Sequence, residues 1–128
     1  MNGVLIVDAD PDVREVLTAV FVRRGFRVRG AGESDAAIRM ARDEAPDALV
    51  TALDLKPIDG IELIEQVRAL PGCGDLPVVI FSAATRHDVL DRIGDRPLAR
   101  MVIVTKGGPP QRVVEAVHGL LGQGDGDT

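Results

Sequence analysis

The side chains that could do chemistry in this 128-residue chain follow short apolar runs. The acid Asp8 follows the first run, the hydroxyl of Ser82 follows the fourth, and the ammonium of Lys106 comes shortly after the fifth. In an open parallel sheet the functional crevice lies outside the carboxyl ends of the strands, so these groups are expected to meet there. An acid, a hydroxyl and an ammonium at one sheet edge could handle a phosphoryl group or a hard cation.

The strands and helices that must position these groups are predicted to alternate five times along the chain. Short apolar runs alternate with longer amphipathic stretches, which is typical of βα repetition and a parallel sheet. Four runs are nearly all apolar, as expected for strands covered by helices on both faces. The second run carries Arg27 and Arg29 and predicts a half-exposed edge strand. The predicted strands are residues 4–7, 26–29, 48–52, 78–81 and 101–104.

Capping residues predict where the helices begin. Asp10 before Pro11 reads as an N-cap followed by proline in the first helical position. Asp59, three residues before Glu62, resembles a capping box. The other predicted helix starts are Ser34, Thr85 and the pair Pro109 and Pro110.

Length, composition and charge narrow the function classes. The length predicts one domain over residues 1–121, and the Gly- and Asp-rich residues 122–128 predict a flexible tail or the start of a linker. A net charge of −5 and three aromatic residues argue against nucleic-acid binding. The apolar runs are too short to span a membrane, and the single Cys73 suits a reducing cytosol. We therefore expect a cytoplasmic protein.

Five motifs in order resemble the receiver (CheY-like) domain of bacterial two-component response regulators. They lie at residues 5–11, 46–55, 59–60, 77–83 and 105–106, with Asp59-Gly60 and Thr105-Lys106 as the shortest. The resemblance implies a flavodoxin-like (βα)5 three-layer sandwich with strand order 2-1-3-4-5. It also implies a signalling module of a phosphorelay rather than an enzyme, with a histidine kinase, an output protein or a second copy as its partner.

The resemblance also assigns roles to positions at the sheet edge. In active receivers an aspartate after strand three takes the phosphoryl group, and a pair of acids after strand one holds Mg²⁺. A hydroxyl after strand four and a lysine after strand five then contact the phosphoryl oxygens. These last two positions are Ser82 and Lys106, and Asp8 is the first acid of the pair.

Two departures from this pattern remove its chemistry. The phosphoacceptor position falls on Ala52, whose methyl group cannot attack phosphorus, and the second acid position falls on Ala9. Mg²⁺ binding is expected to be weak or absent, so no cofactor is predicted. Without a metal, Lys106 is expected to pair directly with Asp8 and Ser82 to bond nearby backbone. The sequence thus predicts a pseudo-receiver that works by binding another protein.

Two alternatives keep phosphoryl chemistry. Asp54, two residues past Ala52, could serve as a substitute acceptor in an active receiver, although a solvated loop acid is the simpler interpretation. Asp10 is the other possible substitute acid, although its simpler role is to cap the first helix. A haloacid-dehalogenase-like phosphatase could use Asp8 in a D-x-D motif, but such enzymes need a further acidic pair after the lysine, where this chain has glycines and prolines.

A partner surface is expected on the fourth and fifth helices and the fifth strand, the usual docking face of the family. Arginines concentrate there and could meet an acidic partner, whereas solvated surface charge is the alternative interpretation. Ile103 stands in this face where the family usually has an aromatic residue. The arginines are Arg92, Arg96, Arg100 and Arg112.

Overall fold

The computed structural model describes residues 2–124 and forms an alternating α/β fold. Its five strands are β1 (Gly3–Val7), β2 (Arg27–Ala31), β3 (Ala48–Thr51), β4 (Val78–Ser82) and β5 (Met101–Thr105). Its helices are α1 (Pro11–Arg23), α2 (Ser34–Asp43), α3 (Gly60–Arg68), α4 (Arg86–Ile93) and α5 (Gln111–Gly124). All strand pairs are parallel, in the order β2-β1-β3-β4-β5. The predicted fold class and strand order are confirmed.

Two apolar layers hold the helices to the sheet. Because successive strand residues point to opposite faces, β1 sends Leu5 and Val7 into one layer and Val4 and Ile6 into the other. The first layer contains buried residues of α2, α3 and α4, and the second contains those of α1 and α5. This arrangement is the three-layer sandwich expected from the nearly continuous apolar strands.

The edge strand β2 begins and ends later than the sequence predicted. It pairs with β1 from Gly3↔Arg27 to Val7↔Ala31, so it occupies Arg27–Ala31 rather than residues 26–29. Phe26 instead closes the preceding turn: its N–H donates to the Phe21 carbonyl, and its ring packs edge-on against Phe21 at 5.1 Å. Phe26 is apolar because it packs at the end of α1, and not because it belongs to the strand.

Side-chain caps begin three helices at the predicted residues. Asp10 Oδ1 accepts from Asp12 N, Asp59 Oδ1 accepts from Glu62 N, and Thr85 Oγ1 accepts from Asp88 N, at 2.9, 3.0 and 3.1 Å. The second helix starts at Ser34 as predicted, but the Ser34 hydroxyl accepts from Ile58 N in the β3–α3 loop. This bond ties the start of α2 to the loop that follows the candidate site.

The end of the chain is helical for longer than the sequence indicated. α5 continues to Gly124, so the first residues of the predicted tail belong to the helix, and residues 125–128 lie outside the described residues. Along the described part of the chain, no helix combines the length and apolar character needed to cross a membrane.

Candidate functional site

The carboxyl ends of β1, β3, β4 and β5 bring the predicted site residues to one edge of the sheet. Asp8 directly follows β1, and Ala52 directly follows β3. The N–H of Ala52 donates to the Val7 carbonyl at 2.8 Å, which sets Ala52 beside Asp8. Ser82 ends β4, and Lys106 follows β5 with its N–H donating to the Ser82 carbonyl at 2.8 Å.

An ion pair occupies the centre of this edge. Lys106 Nζ lies 2.9 Å from Asp8 Oδ2, which is the direct pairing predicted from the sequence. The other carboxylate oxygen, Oδ1, accepts from Asp10 N at 2.9 Å, and Arg14 Nη1 donates to the Asp8 carbonyl at 2.6 Å. The Asp8 side chain is 7% exposed and that of Lys106 is 29% exposed. Asp8 is therefore held by these three groups, and its side chain is largely shielded from water.

The aromatic ring of Phe81 also helps to position the Lys106 ammonium. Lys106 Nζ lies 5.5 Å from the centre of the Phe81 ring, within the range of a cation–π interaction. Phe81 is the residue before Ser82 at the end of β4 and is itself buried. The sequence predicted that Lys106 lies at this edge but not that its ammonium lies near the ring of an apolar strand residue, so Phe81 was given no role in the site.

The Ser82 hydroxyl is bonded to nearby backbone, as the sequence predicted. Its Oγ accepts from Ala84 N at 3.1 Å, and the residue is 4% exposed. The neighbouring Thr51 hydroxyl donates to the Ala52 carbonyl at 2.8 Å. Both hydroxyls at this edge thus stabilise the loops that leave the strands.

Gly60 is required for the backbone to close around Ala52. A Cβ at residue 60 would collide with the carbonyl oxygen of Ala52, and the Gly60 N–H donates to the Leu53 carbonyl at 2.8 Å. The obstacle is backbone, so it cannot rotate away as a flexible side chain would. The Asp59-Gly60 motif therefore has a steric role: it lets α3 begin directly against the end of β3.

The substitute acid Asp54 lies apart from the ion pair. Its side chain is 89% exposed and accepts from Arg92 Nη1 at 3.2 Å, while Arg92 Nη2 donates to Asp59 at the same distance. The hydrogen bond to Asp54, more than that to Asp59, raises the pKa of Arg92 above its ordinary value, although desolvation opposes the rise. Asp54 lines a groove with Ala9, whereas Lys106 lines a separate cleft with Phe81.

The arginines predicted to form a partner surface are largely engaged within the chain. Arg92 bridges to the β3–α3 loop, and Arg96 Nε lies 3.4 Å from Glu65 of α3. Arg100 donates to the carbonyls of Asp75 and Leu120, both at 2.8 Å. Arg112 is exposed at the start of α5, and Ile103 is half-buried in β5. The sequence did not reveal these contacts, because the partners of Arg92 and Arg100 lie 20 to 38 residues away along the chain.

The donor set does not suit Mg²⁺. This ion takes near-octahedral oxygen coordination, usually with one or two carboxylates. At the sheet edge Asp8 already binds Lys106 and Asp10 N, and neither Ala9 nor Ala52 offers a side-chain oxygen. Within the described residues, no group of three His, Cys, Asp or Glu side chains is arranged to hold a metal.

Comparison with known proteins identifies the family. The family model described as "Response regulator receiver domain" matches residues 4–118. This chain belongs to that family. Receiver domains are in general signalling modules rather than enzymes, and they interact with histidine kinases or output domains.

Curated relatives of this receiver domain include transcriptional regulators. The transcriptional regulatory protein PrrA of Mycobacterium tuberculosis is 36% identical over 90 residues, covering 70% of this chain and 37% of PrrA. An uncharacterized 14.6 kDa protein of Leptolyngbya boryana is 34% identical over 85 residues, covering 66% of this chain and 65% of that protein. The chain thus spans between about a third and two thirds of these relatives' length.

Solved structures share the receiver fold over nearly the whole chain. A putative response regulator from Chloroflexus aurantiacus has a TM-score of 0.83 at 29% identity, covering 94% of this chain and 97% of that one. The chemotaxis protein CheY4 of Vibrio cholerae has a TM-score of 0.84 at 17% identity, covering 94% and 98%. The second likeness shows the fold alone.

Proposed function

We propose that this receiver domain is a pseudo-receiver, which accepts no phosphoryl group and signals by binding another protein. The observation that carries the proposal is the residue directly after β3: at the family's phosphoacceptor position stands Ala52, whose methyl group has no lone pair for attack on phosphorus. The neighbouring ion pair of Asp8 and Lys106 supports it, because the lysine already has a carboxylate partner. The domain neither needs nor holds Mg²⁺ in this role.

Intact mass after incubation with acetyl phosphate and Mg²⁺ tests the proposal. The parent chain should gain no phosphoryl group, whereas the Ala9→Asp/Ala52→Asp variant should gain one, because it regains both missing carboxylates. Asp54→Asn in the parent background is the matched control for the displaced acceptor. A parent chain that is phosphorylated, and that loses the label in Asp54→Asn, would instead establish an active receiver using Asp54 and overturn the pseudo-receiver.

The phosphatase alternative has less support than the pseudo-receiver. The D-x-D motif of such an enzyme would be formed by Asp8 and Asp10. Here Asp8 pairs with Lys106, and the Asp10 side chain accepts a hydrogen bond from Asp12 N as the cap of α1. Both carboxylates already serve the fold.

The proposed partner is a histidine kinase or an output protein of a two-component system, bound at the face formed by α4, β5 and α5. On this face Leu90 of α4 is 45% exposed, and Arg112 is exposed at the start of α5. An exposed leucine and an exposed cation on one face suit a partner surface that offers both apolar and acidic groups.

Leu90→Asp should weaken partner binding by about tenfold, since it places a charge where apolar area would be buried. Gln66→Asp on the exposed part of α3 adds the same charge elsewhere and should leave binding unchanged. Calorimetric titration with the cognate partner, with melting curves of both variants, makes the measurement. Equal affinities for the parent and Leu90→Asp would remove this face from the proposal.

A further inference from the structure

The outer face of α1 is apolar in its middle and oppositely charged at its two ends. Among the described residues, three large hydrophobic side chains are exposed, and two of them, Val16 at 49% and Val22 at 54%, lie on α1. Together with exposed Ala19 they occupy helical spacings of three residues, which place them on one side of the helix. This side faces away from Leu17 and Phe21, which α1 buries against the sheet.

The charges on this face run from acidic to basic along the helix. Asp12 and Glu15 stand in its first half, and Arg23 and Arg24 stand at its end, all of them exposed. Within the part of the chain that the structure describes, none of these four side chains forms an ion pair. Glu15 and Arg23 are eight residues apart on a helix that rises 1.5 Å per residue, so about 12 Å separates their positions along the axis.

Such a pattern is complementary to itself when two helices cross in opposite directions. A two-fold axis near the middle of α1 would place Asp12 and Glu15 of one copy beside Arg23 and Arg24 of the other, twice over. Val16, Ala19 and Val22 of both copies would then lie between the two charged ends, and the small Ala19 would let the helices approach closely. Val16 also lines an apolar cleft with Val13 and Pro110, which extends the apolar surface beside the helix.

We propose that the outer face of α1, formed by Asp12, Glu15, Val16, Ala19, Val22 and Arg23 with the C-cap residue Arg24, is a self-association surface for an antiparallel two-fold dimer. The proposal goes beyond the pseudo-receiver function and does not depend on whether the site accepts a phosphoryl group. The helix is about 20 Å long, so the buried area is at the low end of specific interfaces and the dimer is weak, with a Kd on the order of 100 µM. The net charge of −5 on each copy opposes association, whereas the local charge pairing on α1 favours it.

Paired charge reversals test this arrangement directly. Asp12→Lys/Glu15→Lys makes the whole face basic, and Arg23→Glu/Arg24→Glu makes it acidic. Each variant alone should dimerise at least about tenfold more weakly than the parent, because like charges then meet across the axis. Mixed together, the two variants should form a heterodimer with an affinity within about threefold of the parent dimer, because each basic end meets an acidic one.

Sedimentation velocity from about 10 µM to about 1 mM protein measures these affinities. A fault in folding cannot imitate the result, since a misfolded variant would not regain association on mixing. The proposal is overturned if the parent stays monomeric throughout this range. It is equally overturned if the parent dimerises but the reversals leave its affinity unchanged, or if mixing restores nothing, because the copies would then meet through another face or another geometry.

Discussion

Lys106→Met should lower the free energy of unfolding by about 3 kcal/mol, because it leaves the buried Asp8 carboxylate without its counter-charge. The Asp8 side chain is 7% exposed, so water cannot fully replace the ammonium, and one N–H from Asp10 is the remaining donor to the carboxylate in the described contacts. Methionine keeps an apolar stem of similar length beside Phe81, so little of the loss comes from packing. In a domain of this size the change corresponds to a fall in Tm of about 10 °C.

Asp8→Asn is the matched control for this stability effect. It leaves the Lys106 ammonium unpaired, but that side chain is 29% exposed and can reach water, so the expected loss is only about 1 kcal/mol. The double variant Asp8→Asn/Lys106→Met should be less destabilised than the sum of the single changes, because the partners act as a unit. Urea titrations of all four proteins measure the coupling. Additive losses would show that Asp8 and Lys106 contribute independently.

Mg²⁺ should stabilise the Ala9→Asp/Ala52→Asp variant and leave the parent unaffected. In the variant, three carboxylates meet at the sheet edge, so it should be less stable than the parent without metal and should recover when Mg²⁺ neutralises them. With a Kd of about 1 mM, roughly 10 mM Mg²⁺ contributes about 1.4 kcal/mol, or about 5 °C in Tm. In the parent, the ion would have to displace Lys106 from Asp8 and find no second carboxylate beside it.

Thermal melts with and without Mg²⁺ measure this difference, with Ca²⁺ as a test for the size of the site. Asp54→Asn added to the variant should leave the Mg²⁺ effect intact, because Asp54 is held by Arg92 in the neighbouring groove. A parent chain whose Tm rises with Mg²⁺ as much as that of the variant would contradict the proposed loss of the metal site.

The pattern of elements could be predicted because it rests on local physics. Apolar runs bounded by caps fix the alternation of strands and helices, and the caps at Asp10, Asp59 and Thr85 mark helix starts through bonds within three residues. The end of β2 could not be placed in this way. Gly30 and Ala31 extend the strand because they pair with Ile6 and Val7, and this register belongs to the sheet rather than to the segment.

The candidate site also has one part that could be predicted from the sequence and one part that could not. The ion pair of Asp8 and Lys106 was predictable despite its separation of 98 residues, because parallel strands bring their carboxyl ends to one edge and each charge follows a strand. The fork of Arg92 between Asp54 and Asp59 was not predictable, because all three side chains are exposed or half-buried and their spacing follows no local repeat. The partners of exposed charged side chains depend on how the helices pack, so they cannot be predicted from local sequence.

The sequence by itself determined the class of fold, the identity of the groups at the sheet edge and the presence of Ala52 directly after the third strand, since these depend on residue types and on the order of strands. Only the tertiary structure decided how those groups are used. It placed the Lys106 ammonium near the Phe81 ring, brought Arg92, Arg96 and Arg100 to partners on other segments, and left Val16 and Val22 of α1 facing outward. The reason is that side-chain pairing depends on distances between elements, which packing sets and no single segment encodes.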